Sequence, residues 1–307
     1  MISGNTPVVE VDGIYAKLEC VNPTGSIKDR IAEYILQKSE NKGLLKSGME
    51  IVEATSGNTG IALSHFARTL GYDVTIVMPE NMSQERKYRI QDLGAKLVLC
   101  SRGDFAEAVR IRDEIVNSNP EKYFNPDQFS NPLNVECHYN KTGQEIIFQM
   151  HQGIDATPIH AFVAGVGTGG TLIGVSQALR ERYSTYIVAV EPSESNVMGG
   201  GSKGDHFIQG IGDGFIPPIA SDGQGGLNSL IDEVICVSSE EARDAAQWLR
   251  KELGFCVGIS SGANFLAAKQ LAGRFKKIVT VFPDGYKNYK SFGLDRCEKG
   301  KCPYEES

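Results

Sequence analysis

The chain has 307 residues, 41% hydrophobic and 22% charged, which suits one large or two medium globular domains and excludes collagen-like, fibrous and disordered classes. Thirty-one Lys and Arg against 38 Asp and Glu give a net charge of −7 with no long basic block, which argues against nucleic acid as a partner. No apolar run approaches the ~20 residues of a bilayer span, and the opening MISGNTPVVEVDG lacks the layout of a signal peptide, so a cytoplasmic protein with no membrane partner is expected. Seven cysteines, an odd number spread over the chain, argue against a disulfide framework and for mostly reduced, buried thiols. Cys297 and Cys302 lie in a polar tail at a spacing that matches no standard zinc pattern, and no metal site is expected.

In chain order, Met49–Ala54 reads as a strand that runs through Thr55-Ser56-Gly57-Asn58-Thr59-Gly60 into a helix closed by Gly71. Val74–Met78 returns as an apolar strand ended by Pro79, completing a crossover unit. Ser83 caps the next helix and Gly94 ends it; Lys96–Leu99 reads as a short buried strand, and Asp104–Val116 has helical spacing at Phe105, Ala108, Val109 and Ile115. Asn125–Pro132, dense in Asn and Pro, is a loop and a candidate boundary. The pattern then restarts with a helix near Thr142–His151, a strand at His160–Ala164, the glycine loop Gly165–Gly170, a helix to about Arg182 and a strand at Tyr186–Val190. Seven glycines in the sixteen positions of Gly199–Gly214 predict an irregular, ligand-contacting or mobile loop. Ser238 and Glu241 form a capping box for a helix ending at Gly254, and Lys277–Phe282 is a last buried strand. The fold class is α/β, with two domains, each a twisted, mainly parallel sheet flanked by helices.

Three segments carry chemistry. Gly165-Val166-Gly167-Thr168-Gly169-Gly170 follows a strand and opens a helix, where backbone N–H groups and the helix dipole favour an anion. The same letters satisfy G-x-G-x-x-G, with Glu191 at the end of the next strand, so a nicotinamide-dinucleotide oxidoreductase is a rival, and a tight structural turn is a third reading. Thr168 and Thr171 add hydroxyl donors that favour a single phosphate group. The Thr55–Thr59 loop offers hydroxyls, an amide and free N–H groups to a carboxylate, or is simply an N-cap turn. Lys28, in Asn22-Pro23-Thr24-Gly25-Ser26-Ile27-Lys28-Asp29-Arg30, stands in a helix first turn where its charge opposes the dipole; it either swings into solvent or is engaged as a Schiff base.

GNTP at Gly4–Pro7, NPTGSIKDR at Asn22–Arg30, TSGNTG at Thr55–Gly60, MPENMSQER at Met78–Arg86, GVGTGGT at Gly165–Thr171, QGIGDGFIP at Gln209–Pro217 and GISSGA at Gly258–Ala263 together resemble the pyridoxal-phosphate-dependent cysteine synthase and cystathionine β-synthase family, of the tryptophan-synthase-like fold. The resemblance spans almost the whole chain in order. It implies pyridoxal 5'-phosphate as cofactor in an interdomain cleft, held by Lys28 as an aldimine, with Lys28 later shuttling the Cα proton. It further implies that Asn58 bonds the cofactor's phenolic oxygen, and that Gly167, Thr168, Gly169 and Thr171 cradle its phosphate. Thr55, Ser56, Thr59 and Gln128 would bind the substrate carboxylate, and Ser260 would face the pyridine nitrogen, leaving it unprotonated and favouring β-chemistry through an aminoacrylate. The family's architecture implies a larger cofactor-binding domain from residues 1–29 and 132–290, a smaller mobile domain from 30–131, a tail at 291–307, and a homodimer acting on a small amino acid.

The chain departs from that pattern in three places. Val8–Leu18 is short before YAKLE. FPDGYKNY stands where cysteine synthases have a serine-rich turn, which leans toward the cystathionine-forming branch. Asp213 in GIGDG replaces a small neutral residue, and it reads either as a solvent-facing loop aspartate or as a carboxylate near the substrate's β-carbon. In the second reading L-cysteine is the favoured donor, releasing hydrogen sulfide, with water or a thiol added; ordinary cysteine synthesis and cystathionine synthesis are the alternatives.

Overall fold

The computed structural model describes residues 2–55, 57–103, 105–153 and 157–294; Ser56, Asp104 and the tail with Cys297 and Cys302 lie outside the described residues. The chain divides into two compact units, one of Met1–Ser3 with Lys28–Leu133, the other of Gly4–Ile27 with the chain from Asn134 onward.

The first unit begins with α1 (Lys28–Asn41) and is built on β3 (Glu50–Ala54), α2 (Asn58–Leu70), β4 (Asp73–Pro79), α3 (Gln84–Asp92), β5 (Lys96–Cys100), α4 (Phe105–Ser118) and β6 (Tyr123–Phe124). All neighbouring strands are parallel, in the order β5-β4-β3-β6. Side chains alternate between faces along each strand: Ile51, Ile76 and Met78 join one core with Leu36, Ile61 and Phe66, while Val52, Ala54 and Val77 join another with Ala108 of α4. Gly71 ends α2 in the left-handed conformation, as its position predicts. Two expectations need correction. β5 is an edge strand with only Cys100 buried, since a sheet edge lacks the second neighbour that would cover its apolar run. Ser83 stands at the N-cap of α3, but its side chain makes no capping bond.

The second unit holds β1 (Val8–Val11), β2 (Ile14–Leu18), α5 (Pro132–Cys137, whose first two residues close the first unit), a π-helical segment His138–Gly143, α6 (Gln144–Gly153), β7 (Ala161–Gly165), α7 (Gly170–Arg180), β8 (Tyr186–Pro192), β9 (Glu233–Val237), α8 (Ser239–Leu253), α9 (Ile259–Gln270) and β10 (Ile278–Phe282). The sheet order is β1-β2-β10-β7-β8-β9; only the β1–β2 hairpin is antiparallel. Its turn, Asp12-Gly13, has positive φ at both residues, the type I′ signature. Ala161 and Val163 face one core, Phe162 and Ala164 the other, so both faces of β7 are covered. The capping box at α8 forms as its letters predict: Ser238 Oγ accepts from Glu241 N–H, and the Glu241 carboxylate accepts from Ser238 N–H. Cys20, Cys100, Cys137 and Cys236 are free thiols, and Cys100 and Cys137 are buried.

Candidate active site

In the first unit the loop between β3 and α2 places Thr55, buried at the strand end, with its hydroxyl accepting from Gly57 N–H at 3.3 Å. Asn58 is the first residue of α2, half-buried, and Thr59 follows it. Thr59 Oγ1 donates to Gln128 Oε1 at 2.7 Å, and both residues are buried. Two candidate groups 69 residues apart are thus joined by a hydrogen bond at a helix N-terminus, where a carboxylate is favoured. A Cβ on Gly57 would fall on the guanidinium of buried Arg86, so glycine lets that cation lie directly against the loop. Lys28 is the first residue of α1 and half-buried.

The segment leading to Lys28 is fixed within the second unit. Asn22 accepts from Gly4 N–H at 2.9 Å and donates to the carboxylate of buried Glu19 at 2.7 Å; that carboxylate also accepts from Thr6 Oγ1 at 2.8 Å. Ile27 N–H donates to Pro283 O at 2.8 Å. The GNTP and NPTGS motifs therefore brace one another.

The glycine loop of the second unit runs from the end of β7 to α7, with Gly169 at φ +86° as the N-cap. Cβ atoms on Gly167 and Gly170 would fall on Gly210 O and on the Asn134 side chain, so the loop admits no side chain at either position. Buried Thr168 accepts from Asn134 Nδ2 at 3.0 Å and from Gly170 N–H at 3.4 Å, leaving its hydroxyl hydrogen to donate. Thr171 Oγ1 lies 3.2 Å from His138 Nε2, and His138 Nδ1 lies 2.8 Å from Thr142 Oγ1. Ser260 is buried in the first turn of α9. Beneath that turn a Cβ on Gly258 would fall on Asp284, whose carboxylate accepts from Tyr289 Oη at 2.7 Å, so the Asp and second Tyr of FPDGYKNY form its floor.

Asp213 is exposed between Gly212 (φ +73°) and Gly214 (φ +83°), in a segment without helix or strand. That segment is tied to the glycine loop by its backbone: Gly212 N–H donates to Val166 O at 3.0 Å, and Gly210 O lies against Gly167. Its other face is held by Ser195 Oγ, donating to Gly212 O at 3.4 Å, and by His206 Nε2, 2.8 Å from the same oxygen. Glu191, which a dinucleotide site would direct at a ribose, is instead buried and accepts from Met198 N–H at 3.0 Å and Gly199 N–H at 2.6 Å. It anchors the glycine-rich segment and has no ribose role. Ser56 lies outside the described residues.

Sequence reasoning did not single out Glu53, Arg112, Arg86, Asn134 or His138. Glu53 is fully buried, and burial pushes its carboxyl up to about 7 against the pull of Arg112 and two backbone N–H groups. No group of three or more metal-ligating side chains occurs among the described residues. Nor, among them, is any helix long and apolar enough to cross a membrane.

The profile of the pyridoxal-phosphate dependent enzyme family matches residues 1–284. A cysteine synthase of Staphylococcus aureus is 42% identical over 311 residues, covering 95% of each chain. A hydrogen sulfide-producing enzyme from Fusobacterium nucleatum superposes with a TM-score of 0.88 at 42% identity, over 99% of this chain and 92% of that one. The cysteine synthase of Entamoeba histolytica gives 0.87 at 37% identity, over 98% and 92%. The residues present fit the cofactor: a loop closed to every Cβ at Gly167 and Gly170, lined by a threonine with only a donor to offer, suits a phosphate at a helix N-terminus. The chain belongs to the pyridoxal-phosphate-dependent enzymes, within the cysteine synthase and cystathionine β-synthase family.

Proposed function

We propose that this enzyme performs β-replacement and β-elimination on a small L-amino acid, with L-cysteine as the favoured donor. Cysteine and water give L-serine and hydrogen sulfide; with a thiol in place of water the product is a thioether. The observation that carries this reading is Asp213, a carboxylate on a loop whose backbone is bonded to the glycine loop at Val166. The bound cofactor supplies the electron sink that lets the β-substituent leave. Lys28 would hold the cofactor covalently through Nζ and would carry the Cα proton. Asn58 would bond the cofactor's phenolic oxygen, Ser260 would face its pyridine nitrogen, and Gly167, Thr168, Gly169 and Thr171 would receive its phosphate. Thr55, Ser56, Thr59 and Gln128 bind the substrate carboxylate.

Protonated Asp213 gives a proton to the sulfur of cysteine, which keeps its own thiol hydrogen, so that sulfur departs as neutral hydrogen sulfide as the Cβ–S bond breaks; the carboxylate left behind then acts as general base to the incoming water or thiol and regains its proton. The same charge repels acetate and hydrosulfide, the two anions of ordinary cysteine synthesis, more strongly as the local dielectric falls. The hydrogen sulfide-producing relative supports this reading, and the cysteine synthase of equal identity supports a second, O-acetylserine with sulfide. A mass-spectrometric survey with cysteine, O-acetylserine and O-phosphoserine, each with and without sulfide or homocysteine, separates them. Asp213→Asn should slow sulfide release from cysteine by about 10²–10⁴-fold with the cofactor absorbance intact. Unchanged release, or a wild type that prefers O-acetylserine and sulfide, would return Asp213 to a solvent-facing loop residue. We further propose a homodimer, for which light scattering should give about 67 kDa, twice the 33.4 kDa chain.

A further inference from the structure

Glu53 is a fully buried carboxylate near the end of β3, between Val52 and Ala54. Its Oε1 accepts from Ala54 N–H at 2.9 Å and from Arg112 Nη1 at 3.3 Å, and its Oε2 accepts from Gln128 N–H at 3.3 Å. Arg112, on α4, also pairs with Asp113 at 2.8 Å and Asp127 at 3.8 Å. A buried ion pair is an expensive filler, and apolar side chains of similar volume are often at least as stabilising. The acceptor geometry gives Glu53 a use that filler lacks. One carboxylate accepts from Ala54 N–H of its own strand and from Gln128 N–H, tying the end of β3 to the Gln128 backbone, while the Thr59–Gln128 hydrogen bond joins the loop after β3 to the same residue.

We propose that Glu53 is a positioning residue for amino-acid binding: it holds the Gln128 backbone against the end of β3, where the Thr55–Thr59 loop begins, so that Thr55, Thr59 and Gln128 meet the substrate carboxylate in one arrangement. The inference rests on the reading that these residues bind that carboxylate. The grip is tightest when Glu53 is ionised, because protonation converts an acceptor oxygen into a donor facing N–H groups. Burial pushes the group up to about 7; Arg112 on α4 and the N–H groups of Gln128 and Ala54 pull it down, Asp127 in the loop after β6 pushes it up, and Ile76, its β4 neighbour, is apolar. Amino-acid affinity therefore strengthens as pH rises through about 7.

The test titrates the holoenzyme with L-alanine, which has the carboxylate and amine but no β leaving group, following cofactor absorbance from about pH 6 to 9. Wild type, Glu53→Gln, Asp127→Asn and Gln128→Ala are compared. Groups not coupled to Glu53, the substrate's amine among them, titrate alike in wild type and Glu53→Gln, so the ratio of the two affinities removes their contribution. That ratio should rise about tenfold through neutral pH in favour of wild type, the size of a charge-assisted hydrogen bond. Asp127 has φ +47°, which asparagine tolerates, so Asp127→Asn keeps the loop and should move the inflection to lower pH. A pH-independent ratio, or an inflection that Asp127→Asn leaves in place, while Gln128→Ala weakens alanine binding, overturns the positioning role alone. Unchanged alanine affinity in Gln128→Ala overturns the carboxylate-site reading beneath it. If Glu53→Gln does not fold, the Asp127→Asn shift decides the matter.

Discussion

The loops after β3 and β7 have the same plan, a strand end running through a glycine-containing turn into a helix N-terminus, but they are braced differently. The loop after β7 is held by backbone and by uncharged or weakly basic side chains: Val166 N–H on Val190 O, Gly212 N–H on Val166 O, Gly210 O against Gly167, and Asn134 and His138 on the two threonines. The loop after β3 is held by buried charge, with Arg86 against Gly57 and the Glu53–Arg112 pair at its root. If the loop after β7 receives the cofactor, as proposed, it does so on a brace made mostly of backbone. If the loop after β3 receives the amino acid, as proposed, it sits on buried charges that include the titratable Glu53, so pH and charge substitutions should fall on the substrate side first.

Lys28→Ala should have the largest effect, lowering turnover by more than about 10³-fold; borohydride reduction, which should fix the cofactor as a label on the peptide spanning the start of α1 in wild type, should leave that peptide unlabelled in the variant. Label on another lysine would break the assignment. Next, Gly167→Ala and Gly57→Ala sharpen the contrast between the loops. At Gly167 the new methyl meets a backbone carbonyl that cannot swing away, and overpacking should cost about 1–3 kcal/mol and speed cofactor release. At Gly57 it meets the Arg86 side chain, so amino-acid affinity should suffer while cofactor retention holds. The reverse pattern, read from melting and dialysis, would refute the comparison. A smaller effect follows from Glu53, which keeps its proton to about 7 when folded but to only about 4.5 when unfolded. Between those values the folded state holds the extra proton, so stability falls as pH rises, by up to about 1.4 kcal/mol per pH unit. Denaturant titrations should show that slope in wild type and lose it in Glu53→Gln. Ser238→Ala, remote from both loops in sequence, should cost only about 1 kcal/mol through its lost cap and leave activity unchanged.

Much of this architecture was legible because it is local. The α8 capping box, the Gly71 stop and both glycine-bearing loops each depend on residues within a few positions of one another. The Asp12-Gly13 hairpin was equally local, flanked by alternating apolar residues in VVEVDGIYAKL, and was not read from it. Burial of Lys96–Leu99 was misjudged because an apolar run carries no mark of whether its strand is central or at an edge. The bracing groups escaped for a different reason: Glu53 meets partners 59 and 75 residues away, and Thr171 meets His138 33 residues away. The one available sign was an acidic residue inside the apolar strand around Ile51 and Val52, where an unpaired charge would be prohibitive.

The manner in which the GIGDG segment is attached has an evolutionary reading. Gly210 and Gly212 bind the glycine loop through carbonyl and amide alone, and Asp213 itself is exposed and free of the left-handed backbone that restricts its neighbours. None of those contacts is made by the side chain of residue 213. Under the proposed function, position 213 is a place where the chemistry can vary while the backbone contacts of Gly210 and Gly212 do not, and a saturation library there should change which products are made.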